Sequence, residues 1–148
     1  MFEESKFKRL AMLEHYAPSF RKEFSELLNA RALIHSTNAK NLHSLKLEQI
    51  DDYTIDAAYL NVTVRFQLFL TYKETRVVGR VICLHKHAAF EKITFDVLGG
   101  FTFDPAGNTD LPPLPHDEKR TLSGSSDEIV TAFLDQAMEF GPDKFALQ

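Results

Sequence analysis

Along residues 93–103, apolar and polar side chains alternate. Ile93, Phe95 and Val97 are apolar with Thr94 and Asp96 between them, and beyond Gly99 and Gly100 the apolar Phe101 and Phe103 are again odd-numbered. A period of two marks a strand with one apolar face. A two-residue Gly-Gly hairpin would pair Leu98 with Phe101 and exchange odd for even. The phase is kept, so residues 93–103 read as one strand creased at the glycines, where missing side chains permit bending. A three-residue turn over 98–100 would also keep phase, at the cost of placing Leu98 in the turn.

The same period runs from residue 58 to 72. Even positions are Ala58, Leu60, Val62, Val64, Phe66, Leu68, Leu70 and Tyr72, and the odd ones are mostly polar. This predicts one long strand. The segment Lys73-Glu74-Thr75-Arg76 then turns the chain, and two registers compete. A two-residue loop puts Val77, Gly79, Val81, Cys83, His85 and His87 on the apolar face. An odd-numbered loop would bury Arg80 and Lys86, which is expensive for unpaired charges. The first register is preferred and sets Leu70 opposite Gly79, Leu68 opposite Val81 and Val64 opposite His85. With Ala88-Ala89-Phe90 as the next loop, His87 faces Glu91, His85 faces Ile93, Cys83 faces Phe95 and Gly79 faces Gly99.

Helical spacing dominates the ends of the chain. Phe7, Leu10, Leu13 and Ala17 recur along residues 2–16, and Pro18 then interrupts. A second helix over 19–35 carries Phe20, Phe24, Leu27, Leu28 and Ile34 on one face and Arg21, Lys22, Glu23 and Glu26 on the other. Residues 36–41 read as a loop and 45–49 as a short edge strand. After turn-forming residues 104–110 comes a proline-rich connector over 111–117. A last helix starts near Ser126, with Ser125 and Glu128 at capping-box spacing, and Gly141-Pro142 stops it. Its stripe is Ile129, Val130, Phe133, Ala137 and Phe140. The fold class is therefore α+β: two N-terminal helices, a strongly curved antiparallel β-meander of three to four long strands, and a C-terminal helix packed on the sheet. Residues 1–148 read as a single domain, since at this length roughly 68–70% of the chain's surface can be buried without staples.

Composition changes this picture little. Hydrophobic residues make up 44% and charged residues 26%, ordinary for a globular chain, but thirteen phenylalanines without tryptophan suggest a Phe-filled core or an apolar pocket. A net charge of −4 argues against a general nucleic-acid binder. No apolar run approaches membrane-helix length, and the charged N-terminus reads as lacking a signal peptide. A single cysteine, Cys83, excludes an internal disulfide and fits a reducing compartment, the cytoplasm.

Chemistry-bearing residues are sparse. His85 and His87 share a strand face, and the expected register brings Glu91 beside them. Two imidazoles and a carboxylate are a donor set for a divalent zinc or iron ion, with His35, His43 or His116 to complete it. The plainer reading of the three is a polar rim with one salt bridge, and otherwise no cofactor is expected. Asp104, Asn108 and Asp110 offer oxygen ligands without calcium-loop spacing, so an Asx turn is the simpler reading. Asp96 reads as solvated, or paired with Arg65 or Arg80, with general-base work as its sharper alternative. Cys83, set inward against Phe66 and Phe95, reads as an inert core residue.

The resulting expectation is a small non-catalytic binding or accessory protein that contacts a protein partner or a second copy of itself. Phe69, Val78, Ile82 and Leu84 make a second, partly apolar sheet face that needs cover, so a homodimer is plausible. The alternative is a small-ligand-binding domain or enzyme. Its pocket would lie on the concave face, lined by Phe66, Phe95 and Phe101, with His85, His87 and Glu91 at one end.

Overall fold

The structure, a computed structural model, describes residues 4–35, 42–112 and 120–139. The expected loop 36–41, most of the proline-rich connector, and the Gly141-Pro142 stop with Phe140 lie outside them. Helix α1 spans Glu4–Ser25 and runs on through a 3-10 segment, Glu26–Arg31, into the short α2, Ala32–His35. The predicted break at Pro18 is absent, and the proline sits inside α1. An interior proline costs a helix about 3 kcal/mol. Ala17, Phe20 and Phe24 bury the face around it, and each buried phenylalanine returns about 1.5–3 kcal/mol. Tertiary packing therefore carries the helix past the proline.

Five strands follow as an antiparallel meander in sequence order: β1 Leu45–Asp51, β2 Thr54–Tyr59, β3 Val62–Lys73, β4 Arg76–Ala89 and β5 Lys92–Phe103. The sheet is open, with β1 and β5 at its edges. The expectation of three to four strands undercounts because residues 58–72 form two strands. Tyr59 pairs with Val62, and Leu60-Asn61 makes the turn, with Leu60 at φ 55°. Parity changes there. Ile55 and Ala57 are buried before the turn, and Val64, Phe66 and Leu68 after it. No glycine marks the reversal, and Leu60, mostly exposed, imitates the strand alternation.

The β3–β4 register agrees with the charge argument: Lys73 opposes Arg76, Leu70 opposes Gly79, Leu68 opposes Val81 and Val64 opposes His85. The β4–β5 register departs from expectation. Strand β5 does run straight through the glycines, but the connection before it is the two-residue turn Phe90-Glu91, so Ala89 pairs with Lys92, His87 with Thr94 and His85 with Asp96. An irregularity follows. Leu84 pairs with Val97 while Cys83 pairs with Gly99, leaving Leu98 as an extra residue on β5. Beyond it Val81 opposes Phe101 and Gly79 opposes Phe103. One added residue swaps the faces. Phe101 and Phe103 point into the core, as expected, but Ile93, Phe95 and Val97 point to the outer face.

The core lies between the inner sheet face and the helices, with α3 (Ser126–Met138) contributing Ile129, Val130, Phe133, Leu134 and Ala137. Phenylalanines fill it. Phe20 meets Phe103 edge-on at 5.5 Å between centroids, and Phe133 meets Phe66 at 5.9 Å and Phe101 at 6.4 Å. Ser125 precedes α3 but makes no side-chain cap bond, and Glu128 lies 3.8 Å from Arg120, so the expected capping box is not formed. Two glycines hold the β5 geometry by close approach. A Cβ on Gly79 would sit 2.6 Å from Phe103 Cζ and 3.0 Å from Phe20 Cδ1, and one on Gly100 would run into the Val81 carbonyl oxygen.

Gly79→Ala and Gly100→Ala should each destabilise the fold by about 1–3 kcal/mol, because ring or backbone must move. Urea denaturation checks this, with the larger loss expected at Gly100, whose obstacle is backbone.

Candidate interaction surface

The parity change at Leu98 assembles a surface that the sequence pattern conceals. On the outer face of β3–β5, Phe69 is 44% exposed, Ile93 57%, Phe95 40% and Val97 72%. Val97 opposes the half-buried Leu84, so Leu84 joins Ile93, Phe95 and Val97 on this face, while Phe69 lies farther along β3 opposite Arg80. Among the described residues, Phe20, Phe24, Leu27, Ile129, Phe133 and Leu134 of the helices all belong to the core on the other face. Exposure of single apolar residues is ordinary, but a contiguous apolar face is the mark of a binding surface.

Its polar groups are mainly cationic. Lys86 opposes Phe95 and Arg80 opposes Phe69. Arg65 donates two hydrogen bonds to Asp56, at 2.8 and 3.0 Å, from directly across β2 and β3. Those bonds hold the guanidinium pKa above its ordinary value, against a smaller opposing effect of burial. The Arg65 guanidinium also lies 5.2 Å from the centre of the Phe95 ring, a cation–π contact reaching across β4. Asp56 thus holds Arg65, and Arg65 in turn meets the ring of the exposed Phe95.

The β4–β5 hairpin ends this surface. Residues 92–97 of β5 are all exposed, and β5 is an edge strand. At the tip, Phe90 is wholly exposed with φ 53°, followed by Glu91 at φ 64°. Turns of this kind favour Asn-Gly, and a left-handed conformation costs an L-residue roughly 1–2 kcal/mol. A large apolar side chain held there, against local preference and in contact with water, fits a residue kept for contact with something else.

The residues singled out by sequence distribute as follows. His85 is buried and His87 partly exposed, with ring centres 4.0 Å apart. Glu91 is not beside them; it forms the turn. Asp96 takes that place, accepting from His87 Nε2 at 2.9 Å, and so pairs with neither Arg65 nor Arg80. The register change explains this, since it gives Thr94 and Asp96 to the histidine face. Among the described residues no three His, Cys, Asp or Glu side chains converge as a metal site. His35 and His116 have no described side chain, and His43 is an exposed turn residue.

Phe66 and Phe101 are packed into the core, and Phe95 is on the opposite face. His85 and His87 instead line an open cleft of about 470 Å³ with Leu60, Asn61, Val62, Ala137 and Met138. Cys83 faces Phe66 as expected but Gly99 in place of Phe95, and burial pushes its thiol pKa well up, leaving it un-ionised and unreactive. The polarity of the pair His85 and His87 was the available clue to the true register. Opposite them, Thr94 and Asp96 are better neighbours than Ile93.

Asp104, Asn108 and Asp110 form the Asx-type loop. Asp104 Oδ1 accepts from the Ala106 and Asn108 amides at 2.9 Å each, and Asp110 Oδ1 from the Thr102 amide at 2.9 Å. Glu23 of α1 packs against Gly107 of this loop. Partial burial raises its pKa above the ordinary 4.5, with Glu26 and Asp104 adding to the effect and Lys22 opposing it. Compared with known protein families, curated proteins and solved structures, the chain finds a match in none of the three.

Two outcomes are expected. Because the folded state holds the Glu23 proton more tightly than the unfolded state, the contribution of this group to stability is present below pH 4.5 and lost as pH rises above it. Glu23→Gln should therefore melt higher than wild type at pH 7, with the difference closing below about pH 4, as thermal melts across pH would show. Phe90→Asn, better suited to positive φ, should raise stability by about 0.5–1 kcal/mol in urea denaturation.

Proposed function

We propose that this chain is a non-catalytic binding module that works through protein–protein contact, with the outer face of β3–β5 and the Phe90 hairpin as its contact surface. The observation that carries the proposal is the exposure of Ile93, Phe95 and Val97 at alternate positions of one sheet face, beside the half-buried Leu84. A partner for this face would bring apolar side chains, with acidic groups placed to meet Lys86 and Arg80. The Asp56–Arg65–Phe95 arrangement supports the reading, since a surface whose anchor is already held in place loses less side-chain entropy on binding.

A second reading keeps the histidines. The cleft lined by His85, His87 and the end of α3 has apolar walls and imidazole donors, suited to a small ligand with an acidic or hydrogen-bonding group.

A photo-crosslinking benzoyl-phenylalanine placed at Val97 should capture polypeptide in the producing cell, and the same group at the exposed Asp135 on α3 should not. Adding Phe95→Glu should abolish capture at Val97. Equal capture at the two sites, or none at Val97, contradicts the proposal.

A further inference from the structure

The free edge of β5 is adjacent to the apolar face and offers its own docking chemistry. The hairpin Ala89-Phe90-Glu91-Lys92 has a two-residue turn with both central residues at positive φ. In such a hairpin the flanking pair exchanges hydrogen bonds, so Lys92, Thr94 and Asp96 bond inward to β4. Ile93, Phe95 and Val97 then present their N–H and C=O groups at the edge. Among the described residues no other backbone group meets that edge between 92 and 97. Past it the edge closes: Gln136 Nε2 donates to the Leu98 carbonyl at 2.6 Å, and the Asp110 amide donates to the Thr102 carbonyl at 3.1 Å. Natural edge strands are usually short, charged, bulged or covered. Between 92 and 97, ahead of the Leu98 irregularity, this one carries charge only at Lys92 and Asp96 and is exposed, with β-branched or aromatic residues at 93, 95 and 97.

We infer that its occupant is a second copy of this chain, joined by antiparallel β5–β5 pairing about a two-fold axis at Thr94; the inference rests on the reading of this region as a protein-contact surface. The segment is complementary to itself. Residues 92–96 run Lys-Ile-Thr-Phe-Asp. Laid antiparallel on itself about Thr94, that segment sets Lys92 against Asp96, Ile93 against Phe95 and Thr94 against Thr94. Basic meets acidic twice, apolar meets apolar twice, and threonine meets threonine, all favourable cross-strand pairs.

Only registers that match outward-bonding residues are available, so the axis moves in whole-residue steps. Centred on Phe95, both ion pairs are lost and Lys92 opposes Leu98. Centred on Asp96, two carboxylates face each other, which is unfavourable. In the Thr94 register the two outer faces join into one continuous surface.

The test uses the full chain. Wild type should sediment as a dimer. Thr94→Cys should give a disulfide-linked dimer on mild oxidation, because directly opposed Cβ atoms lie about 4.5–5.5 Å apart. Buried Cys83 should leave wild type unlinked under the same treatment. Lys92→Asp and Asp96→Lys should each raise the dimer dissociation constant roughly tenfold, and the double exchange should restore it. A monomer at every concentration overturns the inference. So does a dimer whose cysteine variant stays unlinked and whose affinity ignores the charge exchanges. Should the chain be monomeric while the Val97 crosslinker captures a different protein, the contact surface stands and only its occupant is wrong.

Discussion

One extra residue in β5 determines which side chains this protein shows to its surroundings. Strand periodicity is strict, so inserting Leu98 opposite the Cys83–Leu84 step reverses every side chain on one side of it relative to the other. Toward the C-terminal end, Phe101 and Phe103 enter the core and complete its aromatic packing. Toward the hairpin, Ile93, Phe95 and Val97 leave it. The distortion is fixed from three directions. Gly100 lets the backbone pass close to the Val81 carbonyl, Gly99 takes a φ of 151°, and Gln136 on α3 holds the Leu98 carbonyl. The aromatic core and the exposed apolar face are therefore two consequences of the same local irregularity.

The surface so formed combines apolar area with a cationic lining on a chain whose net charge is −4. That contrast favours selective contact over general stickiness, because the apolar groups are interrupted by Arg65, Arg80 and Lys86. Local strain falls in the same region. Phe90 and Glu91 both adopt positive φ, a cost that a glycine-containing turn would avoid.

Much of this architecture was legible in the sequence. The α+β class, the start of the last helix near Ser126, the β3–β4 register and the uninterrupted course of β5 all followed from periodicity, capping-box spacing and the cost of burying Arg80 and Lys86. Three features were not. Pro18 argued for a break that the burial of Phe20 and Phe24 overrides. Leu60-Asn61 turned the chain without a glycine, and Ala58, Leu60 and Val62 continued the alternation by coincidence. The parity change at Leu98 was hidden because the apolar residues stay odd-numbered across it, so the pattern looked unbroken although the faces had exchanged. The candidate site moved with that misreading: Glu91 went to the turn, Asp96 took its place beside His87, and Phe95 left the core for the surface.

The central claim is the register of β4 against β5 on both sides of Leu98, and cross-strand nuclear Overhauser effects in solution measure it directly. The account predicts contacts between Leu84 and Val97 together with contacts between Cys83 and Gly99 and between Val81 and Phe101. An unbroken ladder, with Val81 opposite Gly100 and Gly79 opposite Thr102, would contradict it.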